Sequence, residues 1–163
     1  MTIPRHRITT GPVRSGKTAA IAADVDDHMA HDGAVIVHTE PHGIELRNRL
    51  SAITRQPEMG VALLEWAENE LAHREQTPDQ QHPDEQRDPL LIALDPVSDL
   101  LEHPNPGIAI PTDRALTILA TRGHQHGIRL HMTSTNPARI PQTIRRQCHQ
   151  VQLEDTFTRG GAS

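Results

Sequence analysis

The sequence predicts an α/β fold: three layers, α/β/α, around a mainly parallel five-stranded sheet with a phosphate-binding loop at its first turn. Three observations carry this expectation. Short β-branched or apolar runs recur at 34–39, 90–95 and 127–134. Segments with apolar residues at helical spacing alternate with them, which implies parallel strands covered on both faces. The first strand-to-helix junction reads Gly11-Pro12-Val13-Arg14-Ser15-Gly16-Lys17-Thr18, the pattern G-x-x-x-x-G-K-[ST]. In such sheets, ligands bind at the carboxyl ends of the strands.

The elements follow in order. Residues 5–10 form a short strand ending at Gly11. From Gly16 to Ala30 the pattern is helical, with Ala20, Ile21, Val25 and Met29 broadly on one side. Asp32-Gly33 is a turn signal. The run 34–39 is a second, buried strand. Residues 43–53 read as a helix facing Ile44, Leu46, Leu50 and Ile53 inward, and 59–74 as another, with Val61, Leu64, Leu71 and Trp66 as apolar contacts. Residues 75–89 hold almost nothing that can enter a core and read as a mobile polar loop. The run 90–95 is a third strand ending on Asp95, followed by a short helix at 97–102. Residues 103–111 carry three prolines and read as a loop, so that Thr112 caps a helix over 112–123. A fourth strand at 127–134, a short helix at 140–147 and a fifth strand at 149–153 complete one domain over 1–155. A frayed tail is expected at 156–163.

Composition bounds the function classes. At 163 residues, the chain is long enough for one core. Its net charge of −5 denies it a global basic footprint for nucleic acid. The only aromatics are Trp66 and Phe157, too few for base-stacking platforms. A single cysteine, Cys148, excludes an intramolecular disulfide and fits a reducing compartment. No run approaches the roughly 18 apolar residues of a membrane span, and Met1–Arg7 lack the apolar core of a secretory signal. A cytoplasmic location without a membrane segment is expected.

The loop at 11–18 has a specific chemistry. Its glycines permit tight turns and close backbone approach. Successive N–H groups make an anion nest, and the following helix points its positive end at the phosphates. Lys17 would reach the β and γ phosphates, and the Thr18 hydroxyl would coordinate Mg²⁺. Lys17 is also the one Lys in the chain; the other 15 basic residues are Arg. Leu90-Leu-Ile-Ala-Leu-Asp95 is a buried strand ending on an acid, the Walker B pattern, whose carboxylate orients Mg²⁺. The cofactors expected are therefore ATP and Mg²⁺. Gly11, Pro12, Val13, Arg14, Ser15, Gly16, Lys17 and Thr18 bind the nucleotide. Lys17 and Asp95 serve catalysis, and Thr18 and Asp95 hold the metal.

Several further stretches, in order, carry a resemblance that runs from Pro4 to about Glu154. They are Thr39-Glu-Pro-His-Gly-Ile-Glu-Leu46, Ala62-Leu-Leu-Glu-Trp66 with Glu70 and Arg74, Leu94-Asp95-Pro96-Val-Ser-Asp99-Leu-Leu, Gly123-His-Gln-His-Gly127-Ile and Thr133-Ser-Thr135-Asn-Pro137. With the phosphate loop, the set resembles the RecA-like motor core of the FtsK/SpoIIIE/TraB double-stranded DNA translocases. The resemblance implies sheet order 5-1-4-3-2, an ATPase working on or with double-stranded DNA or a DNA-transfer protein, and a homo-oligomer, in ring form a hexamer, with an arginine completing the site in trans. It also implies that the chain carries the core without the family's membrane segment, preceding α domain or winged helix.

The departures matter as much. The family's catalytic Glu, which polarises the attacking water, falls on Pro96, which can accept no proton. Its sensor Gln falls on Thr135 and its Gly-Arg arginine on His124, with Arg122 adjacent. Arg122, Thr135 and Arg139 are therefore the candidate trans or sensor residues, and Glu40, Asp99 or Glu102 the candidate replacement carboxylates. Two functions stay open on this reading: a minimal DNA motor or accessory, and a nucleotide-binding switch that uses ATP for assembly or partner binding. A small-molecule kinase with 75–89 as a lid is a third class, without a substrate motif to support it.

The remaining signals have plainer readings. His28 with His31, and His124 with His126, lack cysteine partners at zinc spacing and read as surface histidines. Arg139, Arg145 and Arg146 read as a solvated face before a DNA contact, Trp66 as packing, and Cys148 as an inert buried thiol.

Overall fold

The computed structural model describes residues 5–31, 33–39, 52–77 and 89–154. Among these residues, six parallel strands form one sheet: β1 (His6–Thr10), β2 (Ala34–Thr39), β3 (Ala52–Thr54), β4 (Leu90–Asp95), β5 (Ile128–Ser134) and β6 (Cys148–Gln152). Their order is β3-β2-β4-β5-β1-β6. The five expected strands lie in the expected order, and β3 is added at the β2 edge. Residues 52–54 were expected to end a helix over 43–53. Their three-residue pairing with β2, Ile36 to Ala52 through His38 to Thr54, decides otherwise. Residues 43–51 of that helix lie outside the described residues, as do most of the expected loop at 75–89 and the tail at 156–163.

Among the described residues, one helix covers one face. α1 (Lys17–Ala30) sets Ile21 and Val25 on Val35, Val37, Leu91 and Ala93. The other face carries α2 (Pro57–Gln76), α3 (Ser98–Leu101), α4 (Pro106–Arg122) and α5 (Gln142–Arg145) over the larger core. Side chains of register partners in parallel strands share a face. Thr9 pairs with Thr133, and Thr39 with Asp95. The α1 face of the strand ends is thus polar.

Two further expectations are corrected. The loop expected at 103–111 is helical from Pro106, and Thr112 is not its cap. Asn105 is: its Oδ1 accepts from the Gly107 N–H at 2.9 Å, with Pro106 at the first helical position. Thr112 is buried inside α4, its hydroxyl donating to Ile108 O at 2.7 Å. A proline inside a helix costs about 3 kcal/mol. Fully burying Ile108, Leu116 and Leu119 returns about 1.5–3 kcal/mol each, so the helix runs through Pro111. Trp66 was expected to pack in the core; it is 50% exposed on the outer face of α2, where Gly60, Val61, Leu64, Ala67 and Leu71 take the buried positions.

Candidate functional site

The site is built at the carboxyl ends of β1, β4 and β5. Gly11 leaves β1 with its N–H on Ser134 O at 3.3 Å, so the loop hangs from β5 as well as β1. A Cβ on Gly11 would come within 2.5 Å of Ser15 Oγ and 2.9 Å of Leu153 O, which leaves room for glycine alone. The chain then reverses: Ser15 N–H donates to Pro12 O at 3.2 Å, and Arg14 and Gly16 take φ of 66° and 94°. Gly16 meets that left-handed requirement without strain and opens α1. Ser15 is buried and its Oγ has no hydrogen-bond partner, while Val13 stands 74% exposed at the tip.

Lys17 arches back over the loop. Its Nζ donates to Gly11 O at 2.8 Å and to Pro12 O at 2.6 Å. Desolvation lowers its pKa and the nearby Asp95 carboxylate opposes that shift. Thr18 Oγ1 donates to Asp95 Oδ2 at 2.8 Å, and Thr133 Oγ1 to Asp95 Oδ1 at 2.6 Å. Residues 18 and 95, far apart in sequence, therefore meet as a hydroxyl and a carboxylate. This pair suits Mg²⁺, a hard cation that takes one or two protein oxygens and fills its octahedron with phosphate and water. Among the described residues, no group of three or more His, Cys, Asp or Glu could hold a metal ion, so the histidines do not gather into a centre.

The candidate replacement carboxylates have structural partners. Asp99, 43% exposed on its side chain, lies 2.8 Å from Nε2 of the buried His38. Glu102 accepts from Arg139 at 3.3 Å. Glu40 lies outside the described residues. Thr135 is exposed just past β5, on the loop side of the sheet, and Arg139 is on the same side. Arg122 is not brought there: it ends α4, which leads into the start of β5 at the opposite, amino end of the strands, and faces Glu75 at 3.5 Å. Cys148 opens β6 half-buried, and burial pushes its thiol up to about 12.

The sequence reading did not single out Thr133 or a second buried network. Beneath α1, Asp24 accepts two bonds from Arg129, both 2.7 Å, and lies 2.7 Å from His131 Nδ1. His131 Nε2 meets Thr9 Oγ1 at 2.8 Å. The available signal was polar alternation, Arg129, His131, Thr133, on a strand expected to be buried on both faces.

No family model and no curated protein matches the chain. Solved structures do. The pCW3 conjugation coupling protein TcpA, in its monomer form with ATPγS, is similar at a TM-score of 0.76 and 14% identity over 91% of this chain and 48% of that one. The cytoplasmic domain of the type VII secretion ATPase EccC of Thermomonospora curvata gives 0.71 and 15% over 91% and 20%. The genome-packaging NTPase B204 of Sulfolobus turreted icosahedral virus 2, in complex with ATPγS, gives 0.56 and 12% over 93% and 75%. This chain thus spans about half of the first and a fifth of the second. At these identities the likeness is one of architecture: the chain has the RecA-like three-layer fold of the FtsK/SpoIIIE-type P-loop ATPases.

Proposed function

We propose that the chain binds ATP with Mg²⁺ at the 11–18 loop and hydrolyses it as an ATPase acting on or with double-stranded DNA or a DNA-transfer protein. The observation that carries this is the hydrogen bond between Thr18 and Asp95, which joins the phosphate loop to the acid-terminated strand. The loop N–H groups and Lys17 would hold the phosphates, and Lys17 would turn from Gly11 O and Pro12 O toward them. Thr18 and Asp95 would hold Mg²⁺, which supplies charge neutralisation at the phosphoryl group. Oligomerisation, with an arginine such as Arg139 supplied in trans, belongs to the same reading.

Pro96 favours a second reading, a nucleotide-dependent switch. No carboxylate stands directly after Asp95, and a positioned base is worth about 10²–10⁴ in rate. Steady-state ATP hydrolysis with and without long double-stranded DNA, beside Lys17→Ala and Pro96→Glu, separates the two. DNA-stimulated turnover that Lys17→Ala abolishes supports the motor. ATP bound but not turned over, with hydrolysis appearing in Pro96→Glu, supports the switch. Absence of ATP binding would remove both.

A further inference from the structure

We propose that Thr133 is a positioning residue for the metal-binding carboxylate: it locks Asp95 in the one orientation that offers Oδ2 to Thr18 and to Mg²⁺. This rests on the nucleotide-site reading above.

Asp95 is 7% exposed and Thr133 is fully buried. A terminal carboxylate torsion is broad and roughly two-fold. Without a second contact, Asp95 would be free to rotate about its bond to Thr18. The Thr133 hydroxyl removes that freedom with a bond of 2.6 Å to Oδ1, the length of a charge-assisted O–H···O⁻ bond. Thr133 is itself fixed. Its backbone carbonyl accepts from Val97 N–H at 3.0 Å. The one residue therefore grips the segment on both sides of Pro96: Asp95 through its side chain and Val97 through its main chain. The next residue, Ser134, accepts from Gly11 N–H. Two consecutive residues at the end of β5 thus set the distance between the acid and the phosphate loop before any ligand arrives. Preorganisation of this kind lowers the cost of assembling a metal site.

The test uses the full chain with a fluorescent ATP analogue, titrated once in EDTA and once with increasing Mg²⁺. Thr133→Val keeps the shape and removes the donor; Thr133→Ser keeps the donor. The expected result is that Thr133→Val leaves affinity in EDTA at the parent value. Its half-saturating Mg²⁺ rises about tenfold, the share of a charged hydrogen bond that reaches the metal. Thr133→Ser returns to the parent Mg²⁺ response. An unchanged Mg²⁺ response in Thr133→Val overturns the proposal. So does a parallel loss in EDTA and in Mg²⁺, which marks Thr133 as purely structural. A parent chain that binds no analogue in either condition fails the nucleotide-site reading itself and takes the proposal with it.

Discussion

Asp24 on α1 and Arg129 on β5 are joined by two hydrogen bonds of 2.7 Å, one to each carboxylate oxygen. The guanidinium fork matches a carboxylate in this way, and both side chains are nearly nine-tenths shielded from solvent. The pair, with His131, fixes the helix that carries Lys17 and Thr18 to the strand that carries Thr133.

Asp24→Ala therefore strands a buried guanidinium and leaves His131 Nδ1 without its partner. Breaking a buried ion pair from one side costs about 3–5 kcal/mol. Urea denaturation at neutral pH should show a loss of that order. A loss near that of a surface pair, under about 1 kcal/mol, would mean that water reaches the pair.

His6 gives the molecule an acid sensitivity with a definite sign. It is buried, its Nδ1 accepts from Leu130 N–H at 3.0 Å, and burial, with the His124 charge adding to it, lowers its pKa to about 4. The unfolded chain takes up this proton near 6.5 and the folded chain only near 4. Stability from neutral His6 is then full above the unfolded value and declines as pH falls toward about 4, by roughly 3 kcal/mol in all. His28, also lowered by burial, acts with the same sign. His6→Asn keeps an acceptor for Leu130 and cannot titrate. Its stability measured from pH 7 to 4.5 should fall less steeply than the parent's, and equal slopes would exonerate His6.

Pro111 sits inside α4, where it cannot donate to the carbonyl of Gly107. Pro111→Ala restores that donor and recovers about 3 kcal/mol of helix, less about 1 kcal/mol returned to unfolded-state entropy. A net gain of about 2 kcal/mol, read as a higher Tm, is expected. A lower Tm would show that the pyrrolidine ring contributes packing beyond its backbone cost.

The strands were legible because parallel strands buried on both faces are nearly continuous apolar runs: Leu90–Leu94 and Ala34–Val37 need no context to be read. β3 was not, because three residues, Ala52–Thr54, carry no period of their own and are strand only through their pairing with β2. The start of α4 was misread because the three prolines at 104, 106 and 111 read as loop residues. What overrides them is the burial of Ile108 and Leu116, which a local reading cannot weigh.

By itself the sequence determined the tight turn after β1, since Gly11, Gly16 and the lysine that arches back over it are supplied by one run of eight residues, 11–18. It also determined that Asp95 ends a buried strand and that Pro96 follows it without a carboxylate. Only the tertiary structure decided which residues face Asp95. Thr18 and Thr133 reach its two oxygens from α1 and β5 because parallel register sets the strand ends level. It also put Arg122 at the far end of the strands and gave Asp24 its partners. Contacts between residues that are distant along the chain depend on how strands order and helices pack, and that order is a property of the whole core rather than of any one segment.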